Sequence, residues 1–230
     1  MIRICIMSDL HGYLPEIKPC ELLLICGDII PLECQGSSNK TNKWFNKTFR
    51  DWTERIDCKK ILFIAGNHEL RVENHTDKYK ILFPEHNKAT YLKDSQYIYE
   101  GSDGKSYSIY GTPWCQVFGS WAFMATDNKL EEIYSNIPEG LDILMTHDAP
   151  YGVSDILLQK DCPWSTGEHI GNKPLREAIL KKNPIFVLHG HLHSASHEFE
   201  SLGRSKVINC SLKDEFYNVV YEPLYLEIDK

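Results

Sequence analysis

The 230-residue sequence contains no apolar stretch of membrane-spanning length, no internal repeat, no low-complexity tract and no Gly/Ser- or Pro-rich linker. These absences exclude a spanning helix, a solenoid and an obvious string of domains. None of Cys5, Cys20, Cys26, Cys34, Cys58, Cys115, Cys162 and Cys210 belongs to a C-x-x-C pair. Zinc-ribbon and thioredoxin-type readings lose their support, and several of these thiols sit in apolar runs where they behave as small hydrophobes. Positive charge is also scarce: 25 Lys and Arg against 32 Asp and Glu give a net charge of -7, and the cations are scattered. A field of that sign repels polyanions, so extended nucleic acid is not an expected partner. The N-terminal apolar stretch is too short for a signal-peptide core. A reduced, soluble, cytoplasmic protein with no membrane partner is expected.

Hydrophobic residues at 42% and charged residues at 25% match ordinary globular usage, and the length suits one large domain spanning residues 1–230. Short continuous apolar runs, residues 2–7, 22–26, 61–65, 141–145 and 185–188, read as strands covered on both faces of a layered α/β domain. Residues 42–56 and 173–182 read as amphipathic helices, the second with Pro174 in its first turn. Residues 33–42 read as a polar surface loop. Residues 97–110, centred on Asp103-Gly104, read as a hairpin.

Each apolar run ends in chemistry. The successive endings are Ser8-Asp9-Leu10-His11-Gly12, Gly27-Asp28, Gly66-Asn67-His68-Glu69, Thr146-His147-Asp148 and His189-Gly190-His191-Leu192-His193. If the strands share a sheet, ligands gather outside their carboxyl ends, where five segments deliver Asp, Asn and His to one crevice. Each of these residues alone is explained by turn or capping duty; the ordered set is not. A carboxylate such as Asp28 has lone pairs enough to bridge two cations. Imidazole with carboxylate and amide oxygen favours manganese, iron, zinc or similar ions over calcium or magnesium. Two dications against Asp9 and Asp28 leave an electropositive hole that attracts phosphate and lowers the pKa of water toward neutrality.

The series D-x-H, G-D, G-N-H-E, a later single His and G-H-x-H, running from Asp9 to His193, resembles that of calcineurin-like metallophosphoesterases. The resemblance implies a four-layer αββα sandwich, two mixed sheets packed face to face with helices outside. It implies Asp9, His11, Asp28 and His193 on one ion and Asp28, Asn67, His147 and His191 on the other. A metal-bridging hydroxide would attack phosphorus, while His68 faces the scissile phosphate and assists the leaving group.

Gly111-Thr112-Pro113-Trp114, Trp121-Ala122-Phe123, Asp142 to His147, Glu168-His169-Ile170-Gly171 and Ile208-Asn209-Cys210-Ser211 resemble the MPPED-type branch, related in style to class III cyclic-nucleotide phosphodiesterases. The chain departs from that branch at Asp148-Ala149-Pro150, where Gly-Pro-Pro is more usual. This narrower likeness implies a phosphodiesterase with a small phosphorylated substrate, a nucleotide among the candidates. It adds Trp114, His169 and Asn209 to Asn67 and His68 as substrate contacts; Trp114, Trp121 and Phe123 read either as a wall on which a nucleobase or aryl leaving group stacks or as residues that pack the core or stabilise a loop. His197, His75 and His86 read as solvated, and His189 as a structural strand-end residue. The competing functions are a phosphomonoesterase of the same mechanism and a non-catalytic metal-binding scaffold. The oligomeric state stays open.

Overall fold

The structure is a computed structural model, and it describes residues 1–73, 88–194 and 196–230. His75 and His86 lie outside the described residues. Strands β1 (Ile2–Met7), β2 (Cys20–Cys26), β3 (Cys58–Ile64) and β4 (Ala89–Tyr91) run parallel in one sheet, closed on its other edge by antiparallel β13 (Leu224–Ile228). The second sheet has at its centre parallel β6 (Ser106–Thr112), β9 (Ile143–Thr146), β10 (Phe186–His189) and β12 (Ser205–Asn209). Antiparallel β5 (Ser95–Glu100) and β11 (Glu200–Leu202) form its edges. A short pair, β7 (Cys115–Gln116) with β8 (Met124–Ala125), stands apart.

Strand alternation sorts the apolar residues into layers. Ile4, Ile6, Leu22, Leu24, Leu62 and Ile64 of the first sheet pack against Ile109, Ile143, Met145, Leu188 and Ile208 of the second. Their neighbours Cys5, Met7, Leu23, Ile25, Ile61 and Phe63 point the other way, under Phe45, Phe49 and Trp52. On the far side Tyr110, Leu144, Val187 and Val207 are covered by Leu130, Tyr134, Leu175 and Ile179. Helix, sheet, sheet and helix thus stack in four layers. The motif-bearing strands divide between two facing sheets instead of sharing one, and the sheets meet at the Ser8–Ser211 bridge, beside the motif loops.

The first helical layer begins earlier than the polarity of residues 33–42 suggests. A 3₁₀ turn occupies Leu32–Cys34, and α1 (Ser38–Lys43) starts where the Ser37 hydroxyl accepts the Lys40 N–H. Its exposed, polar first turn looks like loop in sequence, yet Thr41 is buried and its hydroxyl donates to the Cys34 carbonyl at 2.9 Å. A π-helical turn over Trp44–Phe49 leads into α2 (Arg50–Arg55). After α3 (Leu70–Glu73), the second helical layer is α4 (Asp127–Ser135) and α5 (Lys173–Lys182). The Asn172 side chain accepts the Leu175 N–H at 2.9 Å to cap α5, and Asn183 ends it in the left-handed conformation. Among the described residues, no helix is long and apolar enough to cross a membrane.

Glu69, at the end of the G-N-H-E segment, holds two of the motif loops together. Its carboxylate is buried and accepts backbone N–H groups from Asp28 at 3.0 Å, Ile29 at 2.8 Å, Ile30 at 3.0 Å and Gly66 at 2.6 Å. Each oxygen faces two donors, so an amide NH₂ at either position meets N–H groups that it cannot satisfy. Glu69→Gln is therefore expected to lower stability by about 3 kcal/mol or more, since each buried donor left unpaired costs ~1–3 kcal/mol. The exposed control Glu54→Gln, which loses an i,i+4 pair with Arg50, leaves it nearly unchanged. Denaturant unfolding of both variants tests this, and equal effects contradict it.

Candidate metal centre

The loops leaving β1, β2 and β10 are held in conformations that most side chains avoid. Asp9, His11, Asp28 and His191 have φ of 55°, 42°, 50° and 70°. Asp and His tolerate this left-handed region better than most residues, though each such position costs ~1–3 kcal/mol that the surroundings must offset. Close packing explains two of the motif glycines. A Cβ on Gly66 would collide with the Asp28 carboxylate, and one on Gly190 would collide with Ser8 and the Asp9 carboxylate.

These constraints converge on Asp28, which is 2% exposed. One of its oxygens accepts the His68 backbone N–H at 2.8 Å. The other lies 3.3 Å from His147 Nε2, 3.7 Å from His68 Nε2 and 3.8 Å from His11 Nε2. Asp9, fully buried, accepts the His191 backbone N–H and stands 3.2 Å from His193 Nε2. Among the described residues, ligand atoms fall within 4.8 Å of one another in the groups Asp9–His11–His193, His11–Asp28–His68 and Asp9–Asp28–His147. The Asn67 amide oxygen is 2.9 Å from His147 Nε2. The ring of His191 lies 5.1 Å from that of His147. The structure therefore gathers Asp9, His11, Asp28, Asn67, His68, His147, His191 and His193 at one place.

The donor set fits a cation. His147 Nδ1 faces the Cys26 carbonyl at 2.8 Å and His193 Nδ1 faces the Asp214 carbonyl at 2.8 Å. A carbonyl only accepts, so in each neutral ring Nδ1 carries the hydrogen and Nε2 turns a lone pair toward carboxylate or amide oxygen. Lone pair against lone pair is repulsive without a positive charge between. Burial works against charging these rings, but Asp28 drives His147 up to about 10 and Asp9 drives His193 up to about 9. Burial likewise opposes ionisation of the carboxyls, yet His147 holds Asp28, and His193 holds Asp9, below the usual carboxylate range. Positive charge, as a proton or a metal ion, is favoured at both Nε2 positions. Burial pushes His11 and His191 down to about 3, leaving neutral imidazoles, and among the described residues neither ring nitrogen of His11 has a hydrogen-bond partner. An unpaired buried imidazole beside two carboxylates is suited to hold a cation.

A cavity of about 530 Å³ opens over this cluster, lined by Asp28, Asn67, His68, His191 and His193 at its base and by Gln116, Phe118, Trp121, Asp148, Leu157, Trp164, Ile170, Leu192, Glu215 and Tyr217 at its walls. Trp114, His169 and Asn209 do not line it. The Trp114 indole donates to Asp94 at 2.8 Å and packs edge-on against buried Phe123. The His169 ring pairs with Asp155 at 2.5 Å. Asn209 lies beneath the last motif, its side chain donating to the Leu192 carbonyl at 2.7 Å and accepting the Ser211 N–H at 2.8 Å. His189 ends β10 and is buried. His197, expected in solvent, is half-buried, stacked 3.9 Å from Tyr221 and bonded to the Ser211 carbonyl at 2.6 Å.

Sequence reading missed several neighbours of the cluster. Cys115 Sγ lies within 4.8 Å of a ring nitrogen of both His147 and His191. Asp148 accepts the Gln116 N–H and the Asn172 amide, each at 3.0 Å, tying the cavity wall to the cap of α5. Tyr217, with φ of 65°, stands edge-on to His11 and His193 at 4.8 and 5.5 Å. The side chains of Asp148 and Glu69 adjoin motif residues and were within reach; Cys115 and Tyr217 carry no local signal.

Comparison with known proteins places this geometry in a family. A family model described as calcineurin-like phosphoesterase matches residues 2–195. Metallophosphoesterase domain-containing protein 1 of Homo sapiens is 26% identical over 250 residues, covering 98% of this chain and 71% of that protein. A UPF0046 protein of Caenorhabditis elegans is 24% identical over 258 residues; the match takes in 99% of this chain but 60% of the relative's length. The phosphopantetheinyl hydrolase of Mycobacterium tuberculosis shares the fold, with a TM-score of 0.56 at 13% identity, covering 93% of this chain and 90% of the other. The chain belongs to the calcineurin-like phosphoesterases, a metal-dependent family.

Proposed function

We propose that the chain is a dinuclear metal-dependent phosphoesterase acting on a small phosphate ester, with a preference for diesters. Asp9, His11, Asp28 and His193 hold one ion, and Asp28, Asn67, His147 and His191 hold the second. Divalent manganese, iron or zinc bound there supplies Lewis acidity toward a phosphoryl oxygen and lowers the pKa of water toward neutrality. The observation that carries the reading is the single buried Asp28 oxygen with imidazole nitrogens from three segments within 3.8 Å.

His68 takes a different part. Its backbone N–H anchors it to Asp28 at 2.8 Å, its Nδ1 has no hydrogen-bond partner among the described residues, and its ring lines the cavity. It is placed to donate a proton to the departing oxygen, a role worth ~10²–10⁴-fold in rate. Asn67 is held by the Ala122 N–H, which donates to its carbonyl at 3.0 Å, and its amide serves both ion and substrate. The diester preference rests on charge: among the described residues the lining contains no Lys or Arg, while Asp148 and Glu215 are acidic. A monoester's second negative charge finds no partner on these walls.

Two experiments test this. Asp28→Ala is expected to lose bound metal and activity together, whereas His68→Ala keeps its metal and loses about 10² to 10⁴ in kcat; elemental analysis beside turnover separates the two, and retained metal in the Asp28 variant contradicts the assignment. Bis-p-nitrophenyl phosphate is expected to turn over faster than p-nitrophenyl phosphate with manganese present. Equal or reversed rates remove the diester preference.

A further inference from the structure

Phosphoester chemistry leaves open what the ester carries, and the walls of the cavity bear on it. Trp121 and Tyr217 flank His68: the indole lies 4.7 Å from its ring at 38°, and the phenol stands edge-on at 6.3 Å. Both are about one-third exposed, at 38% and 36%, and both line the cavity. The backbone on which each ring is carried is fixed by hydrogen bonds. Trp121 is followed by Ala122, whose N–H is fixed to the Asn67 carbonyl at 3.0 Å. Tyr217 sits in a tight loop organised by Asp214, whose carboxylate accepts the Phe216 and Asn218 N–H groups at 2.9 and 2.8 Å, while its carbonyl accepts the Tyr217 N–H at 2.9 Å. The same Asp214 carbonyl takes the His193 Nδ1–H. That loop holds Tyr217 at φ of 65°, a strained setting for a bulky residue. Strain of this kind persists where the surroundings over-determine it, and it clusters at ligand clamps. The Tyr217 ring is held edge-on against His11, His68 and His193, with ring centroids 4.8, 6.3 and 5.5 Å apart.

We infer that Trp121 and Tyr217 form an aromatic clamp that seats an uncharged, flat ring on the phosphate ester, making ring-bearing esters the substrate class. The inference rests on the phosphoesterase reading of the site. Aromatic faces recognise a ring by offset or edge-on contact. Away from the metal-binding base, the described lining offers Glu215 and Asp148 and no Lys or Arg, so an anionic substituent gains no partner on the walls where a neutral ring is held. Glu215 is itself tied into the wall, accepting from the Ser194 backbone N–H at 3.0 Å and from the Trp164 indole at 3.3 Å.

Three non-hydrolysable probes share one phosphonate and differ in the arm: phenylphosphonate, methylphosphonate and 3-phosphonopropionate. Calorimetric titration of the manganese-loaded protein is expected to show phenylphosphonate about tenfold tighter than methylphosphonate, and 3-phosphonopropionate no tighter than methylphosphonate. Trp121→Leu and Tyr217→Leu each bring the phenyl-to-methyl ratio toward one, and Tyr217→Phe restores it. Because the readout is a ratio, a general loss of phosphonate affinity cancels. A wild-type ratio of one, a ratio unchanged by both leucine variants, tighter binding of the carboxylate probe, or no binding of any probe overturns the clamp. Hydrolysis of bis-p-nitrophenyl phosphate without ring discrimination removes the clamp alone; ring discrimination without hydrolysis of any phosphoester supports the clamp and removes the phosphoesterase reading.

Discussion

A carboxylate oxygen of Asp28 lies within 3.8 Å of imidazole nitrogens from the loops after β1, β3 and β9, and its partner oxygen is tied to the His68 backbone. Burying such a charge among neutral rings is costly unless cations or donors compensate it. Much of the surrounding architecture serves that one group. Glu69 fixes the backbone on both sides of it, Gly66 makes room for it, and the left-handed φ of Asp28 turns it inward. The first sheet brings three of the motif loops and the second sheet brings two, so the centre exists only when both sheets are docked.

Position in the fold also explains how the site is held. The facing sheets share a close-packed interior of Ile, Leu, Cys and Met, with the motifs immediately beyond the strand ends. The histidines are oriented by backbone carbonyls: Cys26, ending β2, for His147, and Asp214, in the C-terminal segment, for His193. Such outer contacts set the tautomer and aim the remaining nitrogen, as they do for ligating histidines generally. The geometry therefore depends on main-chain positions as much as on the motif residues.

The five strands that end in motifs were legible in the sequence because continuous apolar runs ending in Asp, Asn or His are local signals, whereas β4, β11, β12 and β13 were not read. Helix α5 was equally clear, with Pro174 near its start and a polar stop at Asn183. The turn at Ser38, helix α4 and the pair β7–β8 were not foreseen, since exposed polar turns and two-residue strands carry little pattern. The substrate side was the least legible. Trp114, His169 and Asn209 lie in segments resembling a narrower branch, but which way each side chain points is decided by Asp94, Asp155 and the Leu192 carbonyl, all remote or non-periodic partners. Tyr217 reaches the cavity only because the chain returns beside β1 after residue 209, bridging Ser8 to Ser211, a contact across about two hundred residues.

The account depends on Asp28 being shared between two cations, and anomalous diffraction from crystals grown with manganese tests that most directly. Two anomalous peaks flanking the Asp28 carboxylate, one against Asp9, His11 and His193 and the other against Asn67, His147 and His191, are the predicted result. A single peak, or peaks that do not touch Asp28, would contradict it.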